Sequence, residues 1–413
     1  MEPDIIADDR GELPVLMEPL TLSVDSRFRA ELTDIALNLV AASVGLVKSL
    51  PCSLSTSLVD LVRAMNCYYS NLIEGHNTHP IDIERALNND YSDNPEQRDL
   101  QIEAKAHVAV QQWIDSGGLD DRQYLKADGI VEIHRRFCEL LPDEFLWVTD
   151  PFDGQRIRVT LGAFRREHVQ VGKHVAISPG AVPRFLRRFE QVYGRLGTTE
   201  TILAAAAAHH RLLWIHPFSD GNGRVARLLS HALFLHVLDT RGIWSVARGL
   251  ARNVQQYKTL LARCDETRRN DLDGSLSEEA LAEFTRFLLT VCVDEVRFME
   301  HLVEPNALRT RILIWAQEEI RLGALPVRAG RLLEAALIRG EIQRGDMAET
   351  VGTSERQARR IVSALLERKV LTSDGPRAPL RLNFPAALAS RWLPGLFPDY
   401  NTGTGKSTPP NIR

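Results

Sequence analysis

Residues 201–215, TILAAAAAHHRLLWI, form a strongly apolar stretch with helical character. A helix apolar on nearly all sides has to be buried, so other helices must surround it. Their pattern is legible. Leu58, Leu61, Met65, Tyr68 and Leu72 recur at three- and four-residue steps, one face of an amphipathic helix that Gly75 can end. Helical periodicity returns over about 99–114, 125–141, 182–196, 200–215, 224–238, 254–263 and 278–299. Only between about 155 and 177 does the signal change. There RIRVT alternates, and HVQVGKHVAIS reads as two short strands around Gly172, the one hairpin expected in the first 300 residues. The fold class is mainly α, with a β-hairpin.

Residues 1–27 read as an irregular arm broken by Pro3, Pro14 and Pro19, and Pro305 marks a boundary. The tail after Pro394, rich in Gly, Thr and Pro, is expected to be disordered. The net charge of −4 excludes a polycation, so any nucleic-acid contact would need a local basic patch. Five scattered cysteines, with no C-x-x-C spacing, argue against a disulfide framework or a zinc site. No secretory signal is visible, and no apolar run approaches the ~20 residues of a membrane span. The expected location is the cytoplasm, away from membranes.

The buried stretch runs directly into HPFSDGNGR, residues 216–224. Pro217 helps end one helix, and RVARLLSHALFLHVL begins the next. The loop therefore feeds a helix N-terminus, where free N–H groups and the dipole suit an anion. Gly221 and Gly223 let the backbone approach a ligand closely. Arg224 and Arg227, cations in a first turn, make sense if a polyphosphate bridges them and the dipole. Asp220 would repel phosphate unless a divalent cation lay between, and one carboxylate plus phosphate oxygens suits Mg²⁺. His216 is the group in the loop able to take a proton near neutral pH. Phe218 is expected to point inward.

His216, Phe218, Asp220, Gly221, Asn222, Gly223, Arg224 and Arg227 fill the H-x-F-x-D-G-N-G-R-x-x-R signature, so the chain resembles the Fic family of nucleotide transferases over roughly 55–300. The resemblance implies a Fic-type helical bundle that transfers AMP from ATP to a Ser, Thr or Tyr hydroxyl of a target protein, releasing pyrophosphate. In that family pattern His216 is the base, and Asp220 holds Mg²⁺. Gly221, Asn222 and Gly223 bind phosphate, Arg224 steadies the α- and β-phosphates, and Arg227 steadies the γ-phosphate. The hairpin around Gly172 resembles the family's flap, with Val169, Gln170, Val171 and Gly172 docking the target as an added strand. GAFRREHVQVG agrees with the flap entry at Gly162, Phe164 and Arg165. Tyr257 is a candidate to pack the adenine, although its helical spacing also fits a core residue.

Ser70 and Glu74, at i and i+4, share a helix face. SNLIEG matches the family's inhibitory [S/T]-x-x-x-E-[G/N] motif through Ser70, Glu74 and Gly75. The resemblance implies that Glu74 pairs with Arg227 and blocks the γ-phosphate. Some relatives use this Glu to support removal of AMP, so a dual activity stays open.

Beyond Pro305, DMAETVGTSERQARRIVSALLERKVL has the form helix, Gly turn, helix, and VLTSDGPRAPLRLNF reads as two strands. Together they resemble a winged helix-turn-helix. Residues 354–369 carry five basic side chains against two acidic ones, net +3. Glu355, Arg356, Arg359 and Arg360 would face DNA, or the module serves protein contacts and a homodimer. A second function class follows: a DNA-binding regulator that senses nucleotide through its Fic domain. The organisation expected is 1–54 arm and helix, 55–98 inhibitory region, 99–304 catalytic domain, 305–394 winged helix, and 395–413 tail. GTGKST in the tail lacks the first P-loop glycine, having Tyr400 there. His209 and His210 point apart on a helix, so zinc is not expected.

Overall fold

The computed structural model describes residues 7–119, 123–150, 154–268 and 274–398. Helices dominate: α1 (Arg29–Lys48), α2 (Cys52–Ile73), α3 (Pro80–Leu87), α4 (Pro95–Asp115), α5 (Ala127–Glu139), α6 (Val182–Tyr193), α7 (Thr198–Ile215), α8 (Asn222–Leu238), α9 (Val246–Arg252), α10 (Val254–Cys264) and α11 (Glu278–Leu302). The apolar stretch is α7, and every residue from 201 to 212 is buried. Its run of alanines leaves room for α8 and α11 to pack closely. α2 packs on α4 and α9, with Leu58, Leu61, Met65 and Tyr68 buried.

Two helices escape the periodicity. α3 and α9 span only eight and seven residues, too few for a repeat to declare itself. Their signals are caps: the His79 side chain accepts from the Ile81 N–H, and Ser245 accepts from that of Arg248.

The expectation of a single hairpin is corrected. RIRVT belongs to a first hairpin, β1 (Trp147–Thr149) with β2 (Arg156–Arg158), and Trp147 pairs with Arg158. The hairpin around Gly172 is β3 (Gln170–Val171) with β4 (His174–Val175), and the Val169 carbonyl accepts from the Ala176 N–H at 3.0 Å. Also corrected is the absence of a membrane-length apolar run. α1 has a mean hydropathy of 1.5 over its most apolar window and is long enough to span a bilayer. Leu32, Ala36, Leu39 and Leu46 bury one face, along which the helix packs on α11, while Leu37 and Val44 stay exposed.

The arm is tied down from residue 8. Glu12 binds Ser178, Asp9 pairs with Arg184, and Glu18 pairs with Arg188. Residues 1–6 lie outside the described residues.

The last part comprises α12 (Pro305–Arg321), α13 (Ala329–Arg339), β5 (Glu341–Ile342), α14 (Met347–Val351), α15 (Glu355–Glu367), β6 (Leu371–Thr372), β7 (Leu380–Leu382) and α16 (Ala389–Trp392). Gly352, at φ +67, turns α14 into α15. The strands form an antiparallel sheet in the order β5-β7-β6. The expected disorder from 395 is corrected for the first residues: Leu396 is buried, and its carbonyl accepts from the Tyr69 hydroxyl at 3.0 Å. The rest of the tail, with GTGKST, lies outside the described residues.

Candidate active site

α7 stops at His216, which adopts a left-handed backbone, φ 51 and ψ 63. That conformation is unfavourable for a side-chain-bearing L-residue, and buried neighbours hold it. Arg165 donates from Nε to the His216 carbonyl at 2.7 Å, from Nη2 to that of Ile177 at 2.6 Å, and from Nη1 to that of Glu167 at 2.8 Å. One guanidinium thus ties the loop to the base of the β3–β4 hairpin. Phe218 is fully buried and stacks on His134, centroids 3.9 Å apart. Burial pushes His134 down to about 4, so its ring is neutral, and Nδ1 accepts from the Gly162 N–H at 3.1 Å.

The Asn222 side chain works inside the loop. Its Nδ2 donates to the Phe218 carbonyl at 2.8 Å, and its Oδ1 accepts from the Phe218 N–H at 3.0 Å. These two bonds make Asn222 a brace of the loop at the start of α8. Gly221 caps α8 at φ +80, a conformation that favours glycine. The His216 Nδ1 lies 3.3 Å from the Leu213 carbonyl. Burial pushes the ring down to about 4, leaving it neutral with Nε2 as the basic nitrogen.

Asp220 stands at the mouth of the loop with half its side chain exposed. Among the described residues no three His, Cys, Asp or Glu side chains converge as a metal cage. A cation at Asp220 would therefore complete its shell with ligand and water oxygens, which suits Mg²⁺.

Arg227 is almost wholly buried. Its Nε donates to Ser70 Oγ at 2.8 Å and its Nη2 to Glu74 Oε1 at 2.5 Å. Glu74 caps the C-terminus of α2, and its carboxylate reaches the N-terminal end of α8. A Cβ on Gly223 would collide with Glu74 Oε1, so the missing side chain makes the seat. Burial in this cleft raises the Glu74 carboxyl, but Arg227, with Arg224 and Lys258, outweighs it and holds the group below its usual range. Gly75, at φ +92, turns the chain away.

Arg224 lies over the Phe137 ring, 4.7 Å from its centroid. It donates to Glu103 on α4, and its Nη2 lies 3.4 Å from Asp220. The other Glu103 oxygen is 3.0 Å from His76 Nδ1. Glu103 and His76 were not anticipated, yet a signal existed. Glu103, His107, Gln111 and Asp115 recur every four residues along α4. They face Arg224, Arg227 and His231 of α8, with Asp115 2.6 Å from His231.

Tyr257 is placed in the core. It is buried, and its hydroxyl lies 2.7 Å from His209 Nε2, so the adenine-packing expectation gives way to the core one. His209 and His210 are likewise core residues, bound to Ser230 and Asp265. In the hairpin, Gly172 turns at φ +60, Val171 and Val175 are exposed, and His174 Nε2 is 2.7 Å from the Trp214 carbonyl. The sheet has two strands, so β3 keeps an outer edge.

Residues 124–234 match the Fic/DOC family. The Fic match contains the 216–227 loop and the hairpin, whereas Ser70–Gly75 and the C-terminal part lie outside it. The chain is 35% identical over 132 residues to protein adenylyltransferase Fic of Culex quinquefasciatus, covering 31% of this chain and 23% of that one. Against the protein of the same name from Drosophila yakuba it is 39% identical over 108 residues, 26% and 19% of the two chains. It therefore spans less than a quarter of the length of these curated relatives. A crystal structure of a Fic family protein from Desulfovibrio desulfuricans G20 superposes with a TM-score of 0.50 at 17% identity, over 84% of this chain and 96% of that one. That likeness is one of fold.

Proposed function

We propose that this chain is a braked protein adenylyltransferase, moving AMP from ATP to a hydroxyl of a target protein. The observation that carries the reading is the Arg227 guanidinium held by Ser70 and Glu74 above Gly223. An anionic carboxylate sits at a helix N-terminus, beside a buried arginine, where phosphate would be favoured. Asp220 would hold Mg²⁺, which when bound neutralises phosphate charge. His216 Nε2 takes the hydroxyl proton. The freed oxygen bonds to the α-phosphorus, the bond from that phosphorus to the bridging oxygen breaks, and pyrophosphate leaves. Such proton transfer contributes about 10²–10⁴-fold; positioning by the α8 amides, Arg224 and Arg227 supplies the remainder. The β3 edge and exposed Val171 suit a target segment added as a strand.

Glu74→Gly is expected to raise labelling from α-labelled ATP strongly, and His216→Ala in that background to abolish it while ATP still binds. Equal, weak labelling by wild type and Glu74→Gly, with both binding ATP, sinks the reading. The same protein tests the reverse reaction, since removal of AMP from a labelled target should depend on Glu74.

A second reading concerns the C-terminal part. Arg356, Arg359 and Arg360 are all exposed on α15, which follows a helix and a glycine turn and packs beside a small sheet. This supports a winged helix presenting arginines to DNA. Loss of duplex binding on replacing all three by Ala, with transfer unchanged, would support a DNA-linked enzyme. No binding by the wild type leaves the module to protein contacts.

A further inference from the structure

Glu74 is not the only contact that fixes the end of α2. His76, two residues beyond it, lies 3.0 Å from Glu103 through Nδ1. The second oxygen of the same carboxylate takes an N–H of Arg224. Glu103 and Arg224 are 12% and 11% exposed, so this carboxylate is a buried joint. It is ionised: burial raises its carboxyl, but His76 and Arg224 outweigh that and bring it to about 2. The segment 74–76 is thus fastened to α8 twice, by Glu74 on Arg227 and by His76 through Glu103 on Arg224. Gly75, at φ +92 and with open space where a Cβ would be, lies between them as a natural pivot.

We propose that His76 and Glu103 form a second latch of the brake, anchored on the first motif arginine. The proposal rests on the reading of Glu74 as the brake. A swing of the end of α2 that carries Glu74 off Arg227 is resisted by the His76–Glu103 contact. The charged groups facing His76 are Glu103 from α4, Arg224 from α8, and Glu74 on its own segment. The latch lies at a half-exposed helix end, so changing His76 leaves the core packing intact.

The test uses full-length His76→Leu, which cannot bond Glu103, and His76→Gln, whose amide N–H still can. Two quantities are read: hydrogen exchange of residues 70–76, and labelling from α-labelled ATP. In His76→Leu, exchange over 70–76 should quicken about fivefold and labelling rise about three- to fivefold, the size of one partly exposed ion pair. His76→Gln, which keeps a hydrogen bond without the charge, should lie closer to wild type than His76→Leu. Adding His76→Leu to Glu74→Gly should raise labelling no further, because both act on one device. Unchanged exchange in His76→Leu, equal effects of Leu and Gln, or additive labelling each overturns the latch. If exchange responds as expected but Glu74→Gly does not label, the latch stands and the transferase reading falls.

Discussion

His216 keeps its left-handed backbone because Arg165 reaches four carbonyl oxygens at once. A lysine cannot reproduce that planar fork. Arg165→Lys is therefore expected to cost about 2–4 kcal/mol of stability in urea unfolding, since buried carbonyls lose partners. Burial, which pushes His216 down to about 4, gives a second expectation. For Glu74→Gly protein, kcat/KM should be flat from neutral pH to about 5 and bend only below that. A bend near ~6.5, the ordinary histidine value, would contradict a buried neutral base. The sign for stability is the same: folding lowers this pKa, so stability is full above ~6.5 and declines as pH falls toward 4.

At the scale of elements, the site is a meeting of α2, α4 and α8. Glu103 holds His76 above its ordinary range. The ionic part of the latch is then present below ~6.5 and lost as pH rises through the raised value. Exchange over 70–76, corrected for intrinsic rates, should quicken as pH rises, and His76→Gln should not show it. The loop of α8 and the stop of α2 were legible because each is a local run: 216–227 states its chemistry in twelve residues, and 70–75 in six. Glu103 was not, because its partners lie 27 and 121 residues away. Only the four-residue polar rhythm of α4 pointed to a buried polar seam. The bracing role of Asn222 was hidden for a related reason, since it shows only once its loop partner, Phe218, is in place.

Across the whole molecule, the end of the described chain returns to α2. Leu396 is fully buried and bonded to Tyr69, and Phe397 meets the Tyr68 ring edge-on at 5.9 Å. Leu396→Ala should cost about 2–4 kcal/mol and quicken exchange in α2 more than in α7. Helix content and helix order could be anticipated from periodicity, but this closure could not. It joins residues more than three hundred positions apart, beyond a Gly- and Pro-containing stretch that reads as unstructured. Gly223 carries a broader consequence. The vacancy above it admits the carboxylate of Glu74, and any added methyl group would crowd whatever anion rests there. Under the proposed function, a change in α2 would lift the restraint alone, whereas a change at 223 would strike restraint and catalysis together. The two capacities would then separate genetically on one side only.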